Sequence, residues 1–273
     1  MRKKQSGSIA LAILLTFFMV LSGTFFVNSA VARDTLKPEN IRAEIDASGL
    51  TGKVERRIGA ASEGLEAVAK EIVESSEFNQ LLDRYSEYIS EYLLSGSTDK
   101  QISNQELSDL VSSYIKKQAS GLEAAEDLVD RMVEGAVKAA DLSSIFARID
   151  QAIPEPAGGL MLFALNRVTC LVCLGLTILF LVLLLFAARP RRLLGFAGAG
   201  VALIGVGTIY GSDFMVSIFG DVSSNDVVTS LLSKYGEAAA SLGTILAIAG
   251  AAALVVGILI AIVTGRISRN RYW

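Results

Sequence analysis

The chain has 273 residues, of which 52% are hydrophobic, with a mean hydropathy of +0.48 and a formal net charge of −3. So apolar a composition excludes an ordinary water-soluble domain and points to a membrane protein. A pI near 5.2 argues against a nucleic-acid partner, and the absence of histidine removes histidine general bases, Ser-His triads and histidine metal sites.

The chain opens with Arg2, Lys3 and Lys4 and then runs from Ile9 to Val27, 19 residues, without a charge. About 20 helical residues cross a hydrocarbon core about 30 Å thick. Residues 9–32 therefore read as a first transmembrane helix, after a cytoplasmic start at 1–8. Ala30-Val31-Ala32 also fits the small-x-small rule of a signal-peptide cleavage site. The spacing favours a retained anchor. If the apolar core ends at Leu21 it lies too far from the cut, and if it ends at Val27 it is as long as a span.

Residues 33–157 hold 14 Lys+Arg and 24 Asp+Glu and read as helical throughout. Pro38 opens "PENIRAEIDA", and Ser48-Gly49 closes it. Ile58, Ala61, Leu65, Val68 and Ile72 fall on one helical face. A helix starting near Ser76 carries Leu81, Leu82, Tyr85, Ile89 and Leu93, and "SGSTD" ends it. A further helix starts at Ser103, where Ser103 and Glu106 make a capping box and Ile102 and Leu107 a hydrophobic staple. It runs through Val111, Tyr114 and Ile115 toward Val129, Met132 and Ala136. A last short helix, capped by Asp141, stops at "PEP", residues 154–156. About 125 residues suffice for a separate bundle core. "SGSTDKQISNQEL" also resembles an EF-hand calcium loop, which would make Asp99 and Glu106 metal ligands. It departs from that pattern with Ser95 at the first position and Lys100 where the turn glycine belongs.

The second span, 158–188, contains the uncharged 21-residue run from Val168 to Ala188. Cys170 and Cys173 stand near its start, beside Arg167, and are the only cysteines. This CxxC resembles that of the quinone-linked, disulfide-forming membrane oxidoreductases, which are also four-helix membrane proteins. The resemblance implies a redox pair at Cys170 and Cys173 with a basic residue near the quinone. That family relays electrons through a second cysteine pair, which this chain lacks. The competing reading is two small apolar side chains packed among helices.

A cytoplasmic turn at 189–192, with Arg189, Arg191 and Arg192, leads into a third span at 193–211. That span carries Gly195, Gly198, Gly200, Gly205, Gly207 and Gly211. Residues 212–241 read as a loop holding a short amphipathic helix with Val228, Leu231, Leu232 and Tyr235 on one face, ended by Gly236. The fourth span, 242–264, places Ala249, Ala253, Gly257 and Ala261 at intervals of four. Small residues at this spacing let helix backbones approach closely, within one chain or in a homo-oligomer. Residues 265–273 form a cytoplasmic tail with Arg266, Arg269 and Arg271.

The three inner segments hold nine basic residues and no acidic one. Short basic segments stay in the cytoplasm, so both termini are expected inside, and residues 33–157 and 212–241 outside. The expected fold class is all-α. It is an integral four-helix membrane bundle in the lipid bilayer of the plasma membrane, with a large helical extracytoplasmic domain between the first two spans. No ionisable residue lies in the apolar runs, which disfavours a channel or transporter subunit. No nucleophile–base pair, cofactor or metal site stands out. The expectation is a non-enzymatic bacterial multi-pass protein whose outer domain binds a protein or envelope partner. The order of span, outer helical domain and span is similar to bacterial sensory receptors, though no signalling helix follows. The "TL-x-P" step at Thr35–Pro38 resembles that of multi-span proteins of Gram-positive bacteria.

Overall fold

The structure, a computed structural model, describes residues 3–61, 65–96, 163, 165–188, 190–220 and 226–269, with single positions at 109, 112, 113 and 116. Among these residues every regular element is a helix. Of the third helix expected from Ser103, single positions at 109, 112, 113 and 116 are described and are helical; its capping box and the short helix after Asp141 lie outside the described residues. The chain divides into two compact units. One comprises Met1–Asp34, Gly159–Asp221 and Leu232–Trp273, and the other Thr35–Gly158 and Val222–Leu231.

The second of these is helical in its described residues. Its helices are α2 (Pro38–Ala47), α3 (Leu50–Ala61), α4 (Leu65–Glu74) and α5 (Ser76–Ser95). Pro38 opens α2, where a missing N–H costs nothing. Gly49, at φ +69°, turns the chain into α3 in a conformation that suits glycine alone. The spacing of Ile58 to Ile72 predicts one continuous helix, but the chain reverses. A methyl group on Gly59 would meet Glu66 Cγ at 3.4 Å, whereas seven residues of straight helix would separate them by about 10 Å. Ile58 thus belongs to α3 and Ile72 to α4. Ser75 caps α5 by accepting from the Phe78 N–H at 3.1 Å. Gly96, at φ +76°, ends it with its N–H on the Tyr92 carbonyl at 2.8 Å. Ile41, Ile45, Val54, Ile58, Ile72, Phe78, Leu82 and Tyr85 are buried in one core, which Val227 and Leu231 join. Each large side chain so buried contributes about 1.5–3 kcal/mol.

The other unit is built on four long helices: α1 (Lys3–Thr35), α6 (Arg167–Ala187), α7 (Pro190–Gly220) and α8 (Asp226–Arg269). Segments of all four, Ile9–Thr35, Arg167–Ala187, Arg192–Ser217 and Val227–Val263, are long and apolar enough to cross a membrane. They leave large apolar side chains uncovered along their length, such as Val168, Phe186, Leu203 and Ile248. Contiguous apolar exposure of this kind is foreign to a water-soluble monomer and compatible with lipid contact. Asn166 caps α6 by accepting from the Val168 N–H at 2.8 Å. The helices outrun the expected spans. α7 continues past Gly211 to Gly220, and α8 passes through Gly236 without a break. Gly236 does not end the helix because its neighbours are held by packing. Tyr235 and Ala239 are buried in a cluster with Val31, against which Val27, Met215 and Val216 pack. That burial outweighs the roughly 1 kcal/mol that glycine costs inside a helix.

Candidate functional site

In the unit of four long apolar helices, the polar and small side chains meet where the helices touch. α7 and α8 meet backbone to backbone. A methyl group on Gly198 would lie 2.5 Å from the Leu254 nitrogen and 2.8 Å from the Gly250 carbonyl oxygen. On Gly257 it would lie 2.6 Å from the Gly195 nitrogen, and on Gly243 it would lie 2.7 Å from the Gly205 carbonyl oxygen. Gly250 presses on Ala202, and Gly205 on Ala247. Residue numbers rise along α7 as they fall along α8, so the two helices are antiparallel. Gly243, Gly250 and Gly257 recur every seven residues, as do Gly198 and Gly205. This is the period of a seam that stays in register between two supercoiling helices.

A second face of α7 receives α1. Gly200 lies against Met19, Gly207 against Thr24 and Gly211 against Asn28, while Ile204 fills the space at Gly23. Here the numbers rise together, so α1 and α7 are parallel. α1 also packs on α6 in the opposite sense. Phe18 stacks on Phe180 with centroids 5.6 Å apart, and Ala12 and Leu15 cluster with Leu184 and Ala188. The helices therefore alternate in direction along the chain.

Side-chain hydrogen bonds join helices within this apolar unit. Thr177 Oγ1 donates to Ser22 Oγ at 3.0 Å. The Tyr235 hydroxyl donates to Asn28 Oδ1 at 2.9 Å, and Asn28 Nδ2 donates to the Thr24 carbonyl at 3.0 Å. Arg33 reaches across to the Leu165 carbonyl just ahead of α6. The Thr24 hydroxyl is buried and without a hydrogen bond among the described residues.

The sequence-derived site residues are distributed as follows. Gly207 and Gly211 face α1, and Gly257 faces Gly195. The Ala253 carbonyl carbon lies beside Gly198, Ala261 is half-buried, and Ala249 is exposed. Cys170 is buried and Cys173 half-buried, and both thiols are free. They occupy one helical turn. Residues three apart in a helix hold their Cβ atoms about 5–6 Å apart, beyond the roughly 3.5–4.5 Å of a disulfide. Asp99 and Glu106 lie outside the described residues. Sequence spacing sets Tyr235 on an apolar helical face but does not single out Asn28, Ser22, Thr177, Gly243 or Gly250 as contacts. The seven-residue glycine repeat was the readable signal for the last two.

No protein-family model, curated protein or solved structure matches this chain.

Proposed function

We propose that the chain is a non-enzymatic multi-pass protein of the bacterial plasma membrane. Its acidic helical segment, residues 33–157, stands outside the cytoplasm and binds a partner protein or envelope component, in assembly, scaffolding or sensing. Both termini and the 189–192 turn are cytoplasmic, and residues 212–241 share the outer side.

The placement of charge carries this reading. Nine basic residues and no acidic one occupy the three short segments assigned to the cytoplasm, whereas 33–157 has a ten-charge excess of acid over base. The alternating directions of α1, α6, α7 and α8 support an even number of crossings. The unit built on α2 to α5 has its own apolar core, which supports its folding as a separate recognition unit.

Two experiments test the reading. Glu91→Cys, in a chain whose Cys170 and Cys173 are alanine, is expected to react with a membrane-impermeant maleimide on intact, wall-stripped cells. Arg271→Cys is expected to react only after lysis. The reversed pattern overturns the topology. Extraction in mild detergent after in-cell crosslinking is expected to recover a stoichiometric partner. Recovery of the chain alone at every salt concentration overturns partner binding.

A further inference from the structure

We infer that residues 9–35 are a permanent, central helix of the membrane unit, and that Ala30-Val31-Ala32 is not a processing site, although it reads like the end of a secretory signal.

Three observations carry this. The first is the side-chain pattern of α1. Its polar residues Thr16, Ser22 and Ser29 are buried. Ser22 and Asn28 engage Thr177 of α6 and Tyr235 of α8, and Arg33 engages the Leu165 carbonyl. A leader destined for removal needs a basic start, an apolar run and small residues at the cut. It has no use for hydrogen-bonding groups matched to distant parts of the mature chain.

The second observation is what α1 fills. Met19, Thr24 and Asn28 occupy the places left open by Gly200, Gly207 and Gly211 on α7. Without α1 these glycines would line an empty groove. The Tyr235 hydroxyl and the Thr177 hydroxyl would also lose their partners on α1, in surroundings where water cannot replace them.

The third is the local state of the step itself. The backbone is helical through Ala30, Val31 and Ala32 to Thr35, and Val31 is buried with Tyr235 and Ala239. Processing peptidases take their substrates extended and accessible. Cleavage here would require unwinding the last turns of a helix and withdrawing Val31 from a packed cluster.

The inference rests on the topology proposed above, in which α1 is the first crossing, but its two readouts involve no partner, so a cleaved chain would not by itself overturn partner binding. The intact mass of the membrane-extracted protein is expected to include the residues before Arg33. A mature N-terminus at Arg33 overturns the inference. The pair Ser22→Cys and Thr177→Cys, in a chain with Cys170 and Cys173 replaced by alanine, is expected to form an intramolecular disulfide on mild oxidation in membranes. A chain that inserts stably but never forms it overturns the packing on which the inference rests.

Discussion

Tyr235 and Asn28 are 207 positions apart in the chain, and the tyrosine hydroxyl donates to the asparagine Oδ1 at 2.9 Å. This contact ties α1 to α8. Tyr235→Phe and Asn28→Ala should each destabilise the extracted protein, and a double-mutant cycle should show that the two losses are coupled. Hydrogen bonds between membrane helices contribute about 0.6 kcal/mol on average and up to about 1.7 kcal/mol. The coupling energy, measured by denaturing-detergent titration, is expected within that range. Strict additivity would mean that the bond adds nothing.

The glycine seam makes the opposite kind of prediction, since the obstacle there is backbone. Gly250→Leu would drive a side chain into Ala202 and the Gly198 carbonyl. Backbone cannot step aside as a flexible side chain can, so the loss should be at least about 1–3 kcal/mol. Gly175 provides the control, because a methyl group there meets nothing within 4 Å. Gly175→Ala should be neutral or slightly stabilising, by up to about 1 kcal/mol. Thermal aggregation midpoints in one detergent compare the two directly. Equal effects would remove the seam from the account.

Thr24 presents a buried hydroxyl without a hydrogen bond among the described residues. Thr24→Val keeps the branched shape and removes the oxygen. Relief of a buried unsatisfied group is worth about 1–3 kcal/mol at most, so the variant should be at least as stable as the parent in detergent unfolding. A marked loss would mean that the hydroxyl has a partner in the membrane.

In the α2–α5 unit, Ser75 closes the start of α5 by accepting from the Phe78 N–H. Ser75→Ala should cost about 1 kcal/mol. Phe78→Ala, in the core beneath it, should cost about 3–5 kcal/mol. Urea unfolding of the extracted protein followed by circular dichroism checks both the values and their order.

Cys170 and Cys173 separate the binding reading from the thiol one. Replacing both with alanine should leave membrane insertion and partner recovery unchanged, and in wild-type cells both thiols should alkylate without prior reduction. Loss of function on replacement, together with a reducible fraction in cells, would transfer the assignment to disulfide chemistry.

By itself the sequence determined whatever rests on local physics. Uncharged runs of 19 to 23 residues can satisfy their backbone in lipid only as helices, and four helices long and apolar enough to cross a membrane are present. Pro38, Ser75 and Gly96 mark helix ends because capping chemistry acts within one turn. Tertiary structure decided which face of each helix matters. In an apolar helix every small residue offers close approach. Only the docking of α7 selects Gly243, Gly250 and Gly257 over the exposed Ala249. The same docking carries α8 through Gly236, where local propensity would stop it. The packing of α1 on α6 and α8 gives Ser22 and Asn28 partners more than 150 residues away. Residues so far apart in the chain leave no periodic trace of their pairing, because that pairing depends on where whole helices come to rest.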